Sequence, residues 1–220
     1  MVVFSSTATD LVNVSSGGGA DTNALEDVFL WSGSYNGSAV TETTGIKRVS
    51  LTVGAAQATK AAVNGDPTGS SWGAISGDGS RIVFRSKLGQ LDNPPLATDD
   101  DWDIYSYVVA IGPASLAAIA HTLPVSNTAG GARNISQHPI SADGRFVAFD
   151  AFESTPVGFR NNEYVWDSSS SVASLVAPLS GATPVYGTAS TPSAASMPLD
   201  VQTTISGDRS EERRVGKECA

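Results

Sequence analysis

Two hundred and twenty residues with a net charge of −9 make an acidic chain, long enough for one sizeable core or a run of small repeat units. Lys and Arg form no cluster before the last dozen positions, which excludes a nucleic-acid surface, since such a surface needs clustered cations to displace counterions. The single cysteine, Cys219, excludes an internal disulfide framework, and no charged-then-apolar leader pattern opens the chain.

The first block runs from residue 1 to 74. Val2 to Ser5 reads as a strand, followed by a polar, Gly-rich excursion that ends in Asp21-Thr22-Asn23-Ala24-Leu25-Glu26-Asp27. Val28-Phe29-Leu30-Trp31 is a strand, Gly33 to Gly45 a turn-rich connection, and Ile46 to Val53 another strand. A loop through Gly65-Asp66-Pro67 and Trp72 leads into the next block.

The second block, 75–139, opens on Ile75-Ser76-Gly77-Asp78-Gly79-Ser80-Arg81-Ile82-Val83-Phe84. Its close copy, Ile140-Ser141-Ala142-Asp143-Gly144-Arg145-Phe146-Val147-Ala148-Phe149, opens the third block, 140–204, and Ile205-Ser206-Gly207-Asp208 begins a further one. Sixty-five residues separate each copy from the next. A fixed period marks one supersecondary unit repeated along the chain. Asp-Gly supplies a tight turn, because Gly accepts positive φ and Asp can bond the local backbone. The Val/Ile/Phe run that follows is apolar on both faces, as a strand sandwiched between two neighbours requires.

Within the second block, Arg81 to Ser86 reads as a strand, Asn93-Pro94-Pro95 as a loop, and Ile104 to Ala110 and Leu116 to Leu123 as strands joined at Gly112-Pro113. The span from Ile104 to Val125 has no charged side chain, but the Gly-Pro break in its middle favours a buried hairpin over a membrane helix. The third block carries strands at Arg145 to Phe152, Glu163 to Trp166 and Val172 to Leu179, then a Ser/Thr/Pro/Ala-rich loop from Gly181 to Leu199. The middle strands align as Asp27-Val28-Phe29-Leu30-Trp31, Asp103-Ile104-Tyr105-Ser106-Tyr107 and Asn162-Glu163-Tyr164-Val165-Trp166. Aromatics recur at the third and fifth positions, on one face, where packing against a neighbouring sheet needs them.

Each block therefore gives about four short strands, the grammar of a propeller blade. The expected fold is all-β, a β-propeller fragment of about three four-stranded blades in an incomplete ring. The motif Ile-Ser-Ala-Asp-Gly-Arg-Phe-Val-Ala-Phe, with Asp-Val-Phe-Leu-Trp and Arg48-Val49-Ser50, resembles bacterial TolB-type, WD-like β-propeller repeats. That resemblance implies a non-enzymatic scaffold in the periplasm, secreted or at the cell surface. It would bind a protein partner or a surface glycan through its loops, with the remaining blades of a larger propeller completing the ring. The alternative is the propeller part of a larger hydrolase or lyase, acting on saccharides or gating a serine peptidase. Residues 205–208 begin the next repeat, while the tail 209–220 is foreign in composition and resembles the in-frame translation of a sequencing adapter. Leaving out Arg209 to Cys219, with four basic and three acidic residues, takes the net charge from −9 to −10. The front likewise reads as cut into a repeat, because Met1-Val2-Val3-Phe4 lacks the preceding Ile-Ser-x-Asp-Gly turn.

Candidate metal ligands are Asp21, Asn23 and Asp27 and, at the equivalent place, Asp99, Asp101 and Asp103. Alternating oxygen side chains suit Ca²⁺, although the mid-loop Gly and distal Glu of an EF-hand are missing, and an alternative role is bonding backbone N–H groups. Asp78, Asp143 and Asp208 read as structural turn residues; a sialidase-type box would need a residue between Asp and Gly. Gly69-Ser70-Ser71-Trp72-Gly73 fits the Gly-x-Ser-x-Gly string but lacks the helix a nucleophile elbow needs. His121 and His138, the only histidines, are too few donors for zinc. Trp31, Trp72, Trp102 and Trp166 suit packing between blades or stacking on sugars. No catalytic constellation and no nucleotide loop is expected.

Overall fold

The computed structural model describes residues 1–12, 21–58, 69–91, 102–119, 139–155 and 158–175. Among the described residues ten strands form three antiparallel sheets that follow one another along the chain, and none of these closes on itself. The first holds β1 (Val2–Ser6), β2 (Asp27–Tyr35) and β3 (Val40–Arg48) in the order β1-β2-β3. The second runs β4 (Ser70–Ile75), β5 (Arg81–Ser86), β6 (Asp103–Val108) and β7 (Ala117–Ala118). The third has β8 (Phe146–Thr155), β9 (Gly158–Asp167) and β10 (Val172–Leu175), with Ile140 bridged to Val147 on the free side of β8. The described residues are all-β, an architecture consistent with a partial propeller. Among the described residues no helix is long and apolar enough to cross a membrane.

The two-faced strands do what their composition dictates. In the second sheet Ile82, Phe84, Tyr105 and Tyr107 join Val28 and Leu30 of the first and Leu25 and Val49 beside it. Val83 and Ile104, pointing the other way, join Val147, Phe149, Tyr164 and Trp166 of the third. Successive residues of a strand face opposite sides, so one sheet supplies half of each of two cores. Burial of such aliphatic and aromatic side chains contributes about 1.5–3 kcal/mol apiece. Neither face of the middle sheet is buried without its neighbour.

An aromatic pair recurs at the same place in each sheet. Phe4 pairs with Phe29, Phe84 with Tyr105 and Phe149 with Tyr164. The three ring pairs stack at 5.6, 5.5 and 5.7 Å with interplanar angles of 24°, 22° and 22°. Both described Asp-Gly corners also share one network. The Ser76 hydroxyl donates to Asp78 Oδ1 and accepts the Arg81 N–H, while Asp78 Oδ1 also accepts the Ser80 N–H. Ser141, Asp143, Arg145 and Phe146 repeat these bonds in the same order. Gly79 and Gly144 take φ of 72° and 67°, the left-handed conformation the turn requires. Those hydrogen bonds hold the Asp78 carboxyl below its ordinary range. The corners also touch: the Asp78 N–H donates to Ala142 O at 2.9 Å, tying the second sheet to the third.

Three local expectations are corrected. Gly33 to Gly45 is not a loop, because β2 and β3 continue as a hairpin through it, with a register shift at Ser32/Gly33. Gly33 makes room there, since an added Cβ would meet the Trp31 ring and force it to shift. The strand expected from Ile46 to Val53 ends at Arg48. The stretch before Ile75 is not a loop either: Ser70 to Ile75 forms β4, the first strand of its sheet. Gly112-Pro113 does turn the chain between β6 and β7, with Gly112 at φ 80°. His121, His138, Asp208, the long loop and the tail lie outside the described residues.

Candidate functional site

The surface that stands apart from the packed sheets is built on β4. Ser71 pairs with Arg85 and Ala74 with Val83, so Trp72 and Gly73 together oppose Phe84 in a β-bulge. Gly73 sits so close to the first sheet that a Cβ would lie 2.4 Å from Val3 Cγ1 and 2.9 Å from Val28 Cγ1. Trp72 adopts φ 56°, a conformation a bulky side chain rarely takes. The bulge turns its indole outward, 51% exposed.

Arg85 follows from the same register. Its guanidinium carbon lies 3.8 Å from the Trp72 ring centroid and 4.1 Å from that of Trp102, so the cation sits between two indoles. Arg85 Nε donates to the Ser71 hydroxyl at 3.2 Å, and Lys87 Nζ lies 5.3 Å from the Trp102 ring. Each such cation–π contact contributes about 0.5–1 kcal/mol where exposed and more where desolvated. Burial lowers the pKa of Arg85, opposed by the charge of Glu26, and burial likewise raises that of Glu26. The stack fixes an otherwise exposed indole and presents a flat apolar plate fringed by cations. Ser71, the central residue of the Gly-x-Ser-x-Gly string, is 3% exposed and lies within a strand rather than at a turn into a helix.

The acidic loop before β2 is a second polar cluster. Asp21 Oδ1 accepts the Asn23 N–H at 3.1 Å and Gln57 Nε2 at 2.6 Å; Gln57 Nε2 also reaches Asp27 Oδ2 at 3.3 Å. Asn23 Oδ1 accepts the Leu25 N–H, and Asn23 Nδ2 donates to Ala58 O. Asp27, 1% exposed, accepts the Ser50 hydroxyl at 2.6 Å and faces Arg48 Nε at 3.0 Å. That Nε contact misses hydrogen-bond alignment, so its attraction is charge on charge. Burial raises the Asp27 pKa, against the lowering effects of Ser50 and Arg48. Of the equivalent second loop, Asp103 is buried at the start of β6, while Asp99 and Asp101 lie outside the described residues. Among the described residues no group of three or more His, Cys, Asp or Glu is placed to hold a metal ion. Calcium at the first loop would have to displace the Gln57 amide and compete with Arg48. A calcium site predicts a melting temperature that rises at millimolar Ca²⁺ and stops rising in Asp21→Asn; an unchanged melting temperature ends the idea.

The four tryptophans divide by environment. Trp166 is 5% exposed in the core between the second and third sheets, with the Arg81 guanidinium 5.4 Å from its ring. Trp31 and Trp102 are half-buried, and Trp72 is exposed. Neither Arg85 nor Gln57 was singled out from the sequence. A charged residue two positions before Lys87 in a repeat strand is the only signal that could have pointed to Arg85.

No known protein family's model matches the chain, and no curated protein does. Among solved structures the chain is similar to the crystal structure of TolB from Acinetobacter baumannii, at 18% identity and a TM-score of 0.34. The match covers 72% of this chain and 28% of that one, so the chain spans just over a quarter of that structure's length.

Proposed function

We propose that this chain is a non-enzymatic binding scaffold whose recognition surface is the Trp72–Arg85–Trp102 stack with Lys87 beside it. What supports this reading most is the exposed indole held in a left-handed backbone conformation by a strand bulge. Bulges re-aim side chains, and strain of this kind persists where the surroundings over-determine it. Trp and Arg are the residues in which interface binding energy concentrates. The occupant is a protein partner that brings an aliphatic or aromatic anchor to the indole plate. Trp72 and Arg85 lie on β4 and β5, while Lys87 and Trp102 lie just outside the strands. The resemblance of the repeats to TolB-type propellers supports placing the protein outside the cytoplasm.

Trp72→Asn is the test variant, since Asn tolerates positive φ while removing the indole. Wild type and variant are to be compared on peptide and glycan arrays and by thermal melting. Binding to at least one peptide class is expected to fall by more than about tenfold, a loss of roughly 1.4 kcal/mol, with the melting temperature unchanged. Binding that ignores the substitution, or no binding to any probe, would overturn the reading. A glycan-only signal lost in the variant would replace the protein partner with a saccharide.

A further inference from the structure

The β2–β3 hairpin ends in Tyr35-Asn36-Gly37-Ser38-Ala39-Val40, which carries no charge and is exposed throughout. Asn36 Oδ1 accepts two backbone hydrogen bonds, from the Ser38 N–H at 3.0 Å and the Ala39 N–H at 2.9 Å. Gly37 stands at φ 93°, and apart from its two chain neighbours no atom lies within 4 Å of where a Cβ would be. Among the described residues nothing accepts a hydrogen bond from the Gly37 N–H. An amide N–H without a hydrogen-bond acceptor therefore follows a side-chain carbonyl polarised by two aligned donors.

We propose that Asn36 is a self-modification site, at which the hairpin tip converts its own amide to a carboxylate. Gly37 N attacks Asn36 Cγ, and a C–N bond forms as negative charge develops on Oδ1. The Ser38 and Ala39 N–H groups already point at that oxygen, at the separation at which preorganised donors stabilise a developing oxyanion. The Cγ–Nδ2 bond then breaks and Nδ2 leaves as ammonia, taking up the proton that Gly37 N gives up through solvent. One water opens the resulting five-membered imide. Addition at Cγ gives aspartate; addition at the Asn36 carbonyl carbon gives isoaspartate, with the chain running through the former side chain. No electrons are transferred, and water is the only co-reactant. In the aspartate product the carboxylate keeps both N–H donors, now as charge-assisted bonds, which are the stronger kind. The result is a negative charge between two exposed apolar residues, Tyr35 at 69% and Val40 at 62%. This site is independent of the Trp72 surface.

The test is a time course at body temperature in mildly alkaline buffer, with peptide mapping by mass spectrometry. The folded protein is compared with the same protein in urea, and Asn64-Gly65 serves as a second copy of the dipeptide. In the folded protein Asn36 is expected to convert at least as fast as in urea, giving both aspartate and isoaspartate. Asn36→Gln should remain unmodified at this position while Asn64 reacts unchanged. Conversion of Asn36 about tenfold slower in the folded protein than in urea, a barrier raised by roughly 1.4 kcal/mol, would overturn the proposal.

Discussion

Replacing Arg48 with Met is expected to cost about 3–5 kcal/mol of stability at neutral pH, because it strands a carboxylate in the interior. Asp27 and Arg48 are both 1% exposed at their side chains, and their charges lie 3.0 Å apart. Ser50 and Gln57 would still bond the carboxylate, but the compensating charge would be gone. The pH dependence follows from the sign of the Asp27 shift. Burial places its folded pKa above the ordinary 3.8, so its contribution to stability is full below that value and fades as pH rises through the folded pKa. Arg48 is one of the groups that hold this pKa down, so removing it raises the pKa further and widens the window upward. The gap between wild type and Arg48→Met should therefore narrow as pH falls from neutral towards the carboxylate range. Urea unfolding across that range measures it. Adding Asp27→Asn to the variant should recover most of the loss, since removing both charges leaves none stranded. A cost below about 1 kcal/mol, independent of pH, would mean the pair behaves as a surface ion pair.

That pair also shows where the sequence is silent. Asp27 stood out as one oxygen in an acidic run, and the run suggested a cation; its partners Gln57, Ser50 and Arg48 come from a different strand and loop. An Arg is mostly exposed in folded proteins, so nothing local distinguishes Arg48 as buried. The corners were readable for the opposite reason. Ser, Asp and Gly of each turn sit within five residues, and every bond of the network is local. Two-faced strands were readable too, since Ile82-Val83-Phe84 has no polar face to show solvent. The hairpin through Gly33 and the strand at Ser70 were misread because Gly and Ser signal turns, whereas here they make room. Gly33 clears the Trp31 ring, and Gly73 clears two valines of the next sheet. A close approach between sheets leaves no periodicity in the chain.

The same close approach makes Gly73→Ala the second large expected effect, a loss of about 1–3 kcal/mol. The added Cβ would meet Val3 Cγ1 at 2.4 Å and Val28 Cγ1 at 2.9 Å, and Val28 is fully buried between the first and second sheets. Val28 is packed in and cannot step aside, so β4 must lift from β1 or the bulge must flatten. Flattening would slip Trp72 out of its outward position, because a one-residue change of register turns every following side chain to the other face. The damage should thus reach the Trp72–Arg85–Trp102 stack without any change to its residues. Val3→Ala combined with Gly73→Ala should restore part of the lost stability, since it removes the nearer clash. Gly54→Ala is the internal control: its Cβ would meet only Thr52 Oγ1, at 3.9 Å, so its melting temperature should stay near that of wild type. Thermal melting followed by tryptophan emission reads both the packing loss and the displaced indole in one experiment. If Gly73→Ala melts and emits like wild type, the sheets are not in contact at this point, and the bulge has some other cause than the fit of β4 against its neighbour.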